Sequence, residues 1–278
     1  MAKKISYSFE FFPPNTPEGI KNLADTHRQL SVFSPAFYSV TFGAGGHTRD
    51  GTLEAVLRIK EEGFNAVPHI SGISSTKAEI KTLLDIYQQH DIKHLVTLRG
   101  DVPVGQIARG EFKYASELVS FVRQETKDYF HIDVAAYPEY HPEAASAQID
   151  IKNFKKKVDA GANSAITQFF FNADAYFRFM DECLLADIDV PIIPGIMPIY
   201  NIKQLARFAS NCGAEIPRWL RMKLEDYGED LPSLRSFGVD VISELCETLI
   251  AWDVPSLHFY TINQAGIISR IIKNLESD

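Results

Sequence analysis

Little in this chain points to a secreted, membrane or nucleic-acid-binding protein. Only three cysteines occur among 278 residues: Cys183, Cys212 and Cys246. Their odd number and wide spacing argue against a disulfide framework or a zinc cluster and fit a reducing compartment. There is no run of about 18 apolar residues to span a bilayer. The opening MAKKISYSFEFF lacks the apolar stretch and small-residue cleavage site of a secretory leader, so a cytoplasmic location is expected. Positive charge is also short: 28 Lys and Arg against 36 Asp and Glu give a formal net charge of −8. Such a chain lacks the basic footprint of non-specific nucleic-acid binding, and only local Lys or Arg residues remain to hold an anionic ligand. Missing too are a G-x-G-x-x-G fingerprint after the first strand, the Lys-Ser/Thr ending of a P-loop and a G-x-S-x-G nucleophile elbow.

What is present is ordinary globular material, 45% hydrophobic and 23% charged, enough for a sizeable core. Short runs rich in Val, Ile, Phe, Tyr and Thr alternate with longer segments of helical period. Strands are expected at Ile5–Phe11, Ala36–Thr41, Asn65–His69, Lys93–Leu98, Ile132–Ala136, Ala165–Phe170, Pro191–Pro194 and Leu257–Thr261. Helices are expected near 17–30, 51–62, 76–90, 114–127, 144–160, 173–186, 201–211, 232–251 and 265–275, with 212–231 as an extra short helix and loops. Alternating strands and helices imply a parallel sheet. Eight units in this length favour a closed α/β fold, the (β/α)8 TIM barrel in a single domain over 1–278, above an open doubly wound sheet.

Polar residues cluster at the C-terminal ends of the expected strands. Glu10, Thr41, His69, Arg99, Gly100, Asp101, Tyr137, Gln168, Tyr260 and Asn263 all fall there. In a β/α barrel these positions meet at the mouth where active sites are built. Alternation along the first strand sends Ser6, Ser8 and Glu10 toward the barrel axis and Ile5, Tyr7, Phe9 and Phe11 toward the helices. A carboxyl group desolvated beside aromatics favours its neutral form and can act as a general acid. The competing reading pairs Glu10 with a buried Arg or Lys. Asp101, in Arg99-Gly100-Asp101-Val102-Pro103, could equally belong to a turn. His69 could be a base, a ligand contact or a core histidine. No H-x-x-x-H or H-x-H spacing supports a metal site; the prolines of Tyr137-Pro138-Glu139-Tyr140-His141-Pro142-Glu143 read as a shaped loop. Gly43-Ala44-Gly45-Gly46 could cradle a phosphate, and the run Lys155-Lys156-Lys157 could meet one or simply be a solvated helix face.

Taken in order, short segments from residue 8 to 263 resemble the methylenetetrahydrofolate reductase family. They include Ser8-Phe9-Glu10-Phe11-Phe12-Pro13-Pro14, Leu98-Arg99-Gly100-Asp101, Ala135-Ala136-Tyr137-Pro138-Glu139, Ile166-Thr167-Gln168-Phe169-Phe170-Phe171 and His258-Phe259-Tyr260-Thr261-Ile262-Asn263. The resemblance implies a β/α barrel with non-covalent FAD, reduced by NADH or NADPH, that passes a hydride to methylenetetrahydrofolate. It implies Glu10 as general acid and Asp101 as a catalytic carboxylate near the flavin. It implies Gln168, Gln204, Phe208 and Tyr260 as substrate contacts. For FAD it implies Thr41, His69, Arg99, Gly100, Asp101, Tyr114, Ala135, Tyr137, His141, Asp150, Asn153, Lys156 and Lys157. Gln264 and Lys156 stand where many members carry Arg, and Phe42 where many carry Tyr. The short form of the family is implied, a homotetramer without the regulatory domain of longer members. Two other readings of the same rim are a metal-dependent hydrolase or lyase, and a non-catalytic ligand-binding barrel.

Overall fold

The computed structural model describes residues 5–42, 49–73, 75–101 and 110–277. The glycine-rich Gly43–Gly46 and the stretch beginning Val102-Pro103 lie outside the described residues. The elements run β1 (Tyr7–Phe11), α1 (Pro17–Ser31), β2 (Phe37–Val40), α2 (Arg49–Glu61), β3 (Ala66–Ser71), α3 (Lys77–Gln89), β4 (His94–Leu98) and α4 (Ala115–Thr126). They continue with β5 (His131–Ala136), α5 (Ala147–Asp159), β6 (Ser164–Thr167), α6 (Ala173–Leu185), β7 (Ile192–Ile193) and β8 (Gly195–Ile196). The chain ends with α7 (Ile202–Cys212), α8 (Arg218–Asp226), α9 (Leu231–Ala251), β9 (Leu257–Tyr260) and α10 (Gly266–Leu275).

All described strand pairs are parallel, in the order β7-β6-β5-β4-β3-β2-β1-β9-β8. Because β7 and β8 follow one another in the chain, the two ends of this order meet and the sheet curls into the expected TIM barrel. Two expectations shift in detail. The seventh strand is not one run over 191–194 but two short pieces joined at Pro194. Proline has no N–H to give a ladder; its carbonyl still accepts from the His258 N–H at 3.0 Å, while the next N–H, of Gly195, turns to the Thr167 hydroxyl at 2.9 Å. The sixth strand stops at Thr167 rather than Phe170, because the Phe169 N–H bonds the Gln168 side chain at 3.0 Å instead of a neighbouring strand. The extra region 212–231 holds α8, set off from α7 by Gly213 in the left-handed conformation that ends helices.

Period-2 alternation decides which side chains fill the barrel. Phe37, Val67, Val96, Ile166 and Ile193 form a small apolar cluster apart from the large core, which packs the outer strand faces against the helices. Tyr7, Phe9 and Phe11 belong to that outer core, and Phe11 stacks on Tyr38 at 5.4 Å. Helix starts carry local signals: Thr16 precedes Pro17 and caps α1, Thr76 and Glu79 form a capping box on α3, and Asn201 caps α7. Arg123 of α4 staples two strand entries. It donates to the Phe130 carbonyl at 2.7 Å, twice to the Gly161 carbonyl at 2.9 and 2.7 Å, and to Asn163 Oδ1 at 2.5 Å. No helix among the described residues is long and apolar enough to cross a membrane.

Candidate active site

Glu10 enters the barrel as alternation requires. Its carboxylate lies 3.5 Å from His69 Nε2 and 3.6 Å from His258 Nε2, and its side chain is 14% exposed. The neighbours are therefore two histidines, not the Arg or Lys of the competing reading. His258 is held from below by Ser8, whose hydroxyl is 2.7 Å from Nδ1. Burial pushes the His69 imidazole down, more than the Glu10 charge pushes it up, so it is neutral near pH 7. Both His69 ring nitrogens, His258 Nε2 and Ser39 Oγ are buried without a hydrogen-bond partner. Such groups are costly to leave unmade in a protein interior, and they cluster around Glu10.

The backbone at Glu10 is fixed by the turn after β9. Thr261 donates both its hydroxyl, at 2.6 Å, and its N–H, at 3.2 Å, to the Glu10 carbonyl. Asn263 clamps Phe12 from both sides, accepting its N–H and donating to its carbonyl, each at 2.9 Å. This turn carries Ile262 at φ 51° and Asn263 at φ 54°. A β-branched residue in the left-handed region is strained, and strain of this kind gathers at functional sites.

A cavity of about 180 Å³ opens over Glu10, walled by Phe12, Gln168, Phe169, Met197, Phe208, Tyr260 and Ile262. Its wall is mostly apolar, with a few convergent polar groups, as small-molecule sites are. Tyr260 donates to the Thr167 carbonyl at 2.6 Å, and burial, then the Glu10 charge, raise its hydroxyl well above the usual range. The Tyr260 ring reaches there only because residue 195 is glycine: a Cβ at Gly195 would lie 2.2 Å from the Thr167 oxygen and 2.6 Å from the ring. Gln204 does not line this cavity. It sits one turn before Phe208 on α7, and its side chain accepts from Asn201 Nδ2 at 3.2 Å.

A second group gathers beside the first, around β4 and β5. Arg99 pairs with Glu143 at 2.5 Å, which keeps its guanidinium firmly charged. The Tyr137 ring meets His141 edge-on at 4.6 Å, and Asp150 accepts the His141 N–H at 2.9 Å. The charges of Asp101 and Asp150 add to burial in raising the Tyr137 hydroxyl. Lys157 turns inward from α5 and donates to the Ala135 carbonyl at 2.5 Å; burial pushes its ammonium down to about 8, with the Asp150 charge opposing. Gly100 has φ +83° and sits where a Cβ would strike the Ser71 hydroxyl. Thr41, half-buried after β2, passes its N–H to the Phe11 carbonyl at 2.9 Å.

The three lysines of α5 separate. Lys155 bonds Asp159 at 2.9 Å and the Asp187 carbonyl at 3.0 Å on the outer face. Lys156 is exposed and reaches Asn153 Oδ1 at 3.4 Å. Tyr114, at the N-terminus of α4, is 50% exposed on the rim. The structure therefore brings together most of the sequence-derived residues, leaves Gln204 outside the cavity and leaves Tyr114, Asn153 and Lys156 at the periphery. Sequence reasoning passed over Ser8 and His258 as supports of Glu10. The signal was available: Ser8 and Glu10, like His258 and Tyr260, are two apart on their strands and share the inner face.

Comparison with known proteins bears on the fold and the family. Residues 1–276 match the family described as methylenetetrahydrofolate reductase. The chain is 44% identical over 273 residues to the 5,10-methylenetetrahydrofolate reductase of Salmonella typhimurium, covering 98% of this chain and 91% of that protein. Its likeness to the Escherichia coli K12 protein of the same name has the same identity and coverage, 44%, 98% and 91%. It is 36% identical to methylenetetrahydrofolate reductase (NADH) 1 of Arabidopsis thaliana, over 98% of this chain and 48% of that one. A Clostridium thermocellum protein, described as binding two copies of 5-methyl-5,6,7,8-tetrahydrofolic acid, shares the fold at TM-score 0.69 and 17% identity, over 99% of this chain and 96% of that one. Along nearly its whole length, this chain belongs to the methylenetetrahydrofolate reductase family.

Proposed function

We propose that the protein reduces 5,10-methylenetetrahydrofolate to 5-methyltetrahydrofolate, with non-covalent FAD as cofactor and NADH or NADPH as electron donor. The observation that carries the reading is Glu10, a carboxyl group on the floor of an apolar slot beside two buried histidines, in a chain of this family.

The residues present suit a flavin dinucleotide. A flat ring needs apolar walls with a few polar contacts, and the buried, unpartnered nitrogens of His69 offer such contacts. A pyrophosphate needs cations, and Lys157 and Arg99 stand in the adjoining group. Thr41, Gly100, Asp101, Ala135, Tyr137, His141 and Asp150 complete the cradle, with Tyr114, Asn153 and Lys156 at its outer end. When bound, FAD relays a hydride from the nicotinamide to the folate.

The remaining chemistry belongs to side chains. Glu10 gives its proton to the folate nitrogen released when the N5–N10 bridge opens, leaving an electrophilic iminium carbon. Proton and hydride together make up the two hydrogens the substrate gains, and Glu10 is reprotonated from solvent. Gln168 holds the folate in the slot, with Gln204 as a contact outside it, one turn before Phe208; Phe208 packs against nicotinamide and folate in turn, and Tyr260, the partner of Glu10 on the neighbouring strand, lines the wall beside it. Asp101 tunes both half-reactions. The reading extends to a single catalytic barrel that works in the cytoplasm as a homo-oligomer, a tetramer by family resemblance.

Anaerobic absorbance tests this. Purified protein is expected to be yellow, to bleach with NADH or NADPH, and to regain its colour with methylenetetrahydrofolate. A colourless protein, or bleached protein that methylenetetrahydrofolate does not reoxidise, overturns the assignment. Activity of a colourless protein lost with a chelator would favour the hydrolase reading instead.

A further inference from the structure

The opposite end of the barrel carries a cluster that this chemistry does not use. His94 opens β4, His131 opens β5, Asp133 lies two residues further on the same strand, and Ser164 opens β6. The register sets His94 beside His131 and Asp133 beside Ser164. All four therefore meet at the N-terminal mouth, away from Glu10 and Tyr260. Phe37 separates the two regions, stacked on His258 at 5.8 Å and edge-on to His94 at 4.8 Å.

Asp133 is fully buried, at 0% exposure. Its carboxylate faces His94 Nε2 at 2.7 Å and His131 Nε2 at 3.4 Å, and it accepts from the Ser164 hydroxyl. No Lys or Arg among the described residues pairs with it. A buried anion of this kind calls for a cation, and two imidazoles aimed at one carboxylate are metal ligands by type.

The spacing also fits. One ligand atom from each of the three residues lies within 4.8 Å of the others. A tetrahedral zinc with bonds of about 2.0–2.1 Å sets neighbouring ligand atoms roughly 3.3 Å apart; His94 Nε2 lies 2.7 Å from Asp133 Oδ2 and His131 Nε2 lies 3.4 Å from Asp133 Oδ1, one imidazole at each oxygen of the carboxylate. Ser164 would orient the carboxylate, its hydroxyl also 2.5 Å from His131 Nε2. The His131 side chain is 47% exposed, so an ion has a path in and a solvent molecule can complete the fourth position. No sequence spacing announces the set, because His94 reaches it across the sheet from a neighbouring strand.

We propose that His94, His131 and Asp133 form a binding site for one divalent transition-metal ion of the zinc class at the N-terminal mouth of the barrel. Each imidazole would keep its proton on Nδ1 and turn the Nε2 lone pair to the metal. The site lies beyond Phe37 from the folate pocket, although the charges of Asp133 and His94 reach His69, and the inference holds whatever the reaction there.

Calorimetric titration of the chelator-treated full-length protein with Zn2+ tests it. One ion per chain is expected, with micromolar or tighter affinity and a raised melting temperature. Binding should weaken at least about tenfold in His131→Ala and in Asp133→Asn. His90→Ala, at an exposed histidine outside the cluster, should bind as the parent does. Because His131 is surface-accessible, its variant keeps the test valid if Asp133→Asn fails to fold. No saturable Zn2+ binding, or binding of equal strength in His131→Ala, overturns the proposal.

Discussion

Replacing Gly195 by alanine should loosen the barrel at the wall of its own active site. The added Cβ would sit 2.2 Å from the Thr167 carbonyl oxygen, 2.6 Å from the Tyr260 ring and 2.8 Å from its hydroxyl. The first obstacle is backbone, so no change of rotamer relieves it. The second is relieved only if Tyr260 leaves its 2.6 Å bond to Thr167. Overpacking of this kind costs about 1–3 kcal/mol, and breaking a buried hydrogen bond costs about 1–3 kcal/mol more. The sum is about 2–6 kcal/mol. At about 2.1 cal/mol/K per residue, 278 residues melt with an entropy near 0.6 kcal/mol/K, so the melting temperature should fall by about 3–10 °C. Differential scanning fluorimetry reads that fall. Tyr260→Phe removes the same hydrogen bond, so Gly195→Ala combined with Tyr260→Phe should cost less than the two single changes added together. A Gly195→Ala protein that melts with the parent, or strict additivity in the double variant, would refute the claim that Gly195 exists to admit Tyr260.

Glu10→Gln keeps the side-chain volume and loses the transferable proton; folate reduction should slow by about 10²–10⁴-fold while NADH still bleaches the flavin, and equal loss in both halves of stopped-flow turnover would contradict the acid role. Lys157→Met should weaken FAD binding roughly 10–100-fold, as loss of a charged hydrogen bond does, measured by fluorescence quenching on the apoprotein. In the parent, FAD affinity should fall as the pH rises through about 8 and Lys157 discharges; the apoprotein itself should gain stability between about 8 and 10.5, because below that window burial disfavours an ammonium that the unfolded chain holds freely. Affinity that is flat with pH in the parent would count against this placement of Lys157. Arg123→Ala should cost about 2–4 kcal/mol in urea unfolding, since the Phe130 and Gly161 carbonyls lose a charged donor; a change under about 0.5 kcal/mol would place Arg123 among ordinary surface residues.

The barrel was legible because its strands and helices carry different periods, and because Glu10, His69, Arg99, Gln168 and Tyr260 all fall at strand ends. Alternation alone correctly turned Glu10 inward. What alternation could not supply was the partner across the sheet. His69 and His258 reach Glu10 from β3 and β9, and such contacts depend on register, which no single strand records. The same blindness hid His94 beside Asp133. Strand limits failed where a side chain captured a backbone donor, as Gln168 does at Phe169, or where proline withheld one, as Pro194 does. Of the lysine run, helical period could say that Lys155, Lys156 and Lys157 point different ways, but not which one meets the barrel.

The break at Pro194 has a consequence for how the protein breathes. Only two residue pairs join β6 to β7, and two join β8 to β9, whereas four join β1 to β2. The cylinder is thus thinnest along one vertical line, and the Tyr260 hydroxyl, reaching from β9 to the Thr167 carbonyl, acts as a clasp across it. Amides of Gly195, Ile196 and His258 should trade their hydrogens for deuterium ahead of those in β3 and β4. A guest filling the pocket beside Tyr260 would brace that line, so occupancy and the tightness of the whole cylinder would rise together.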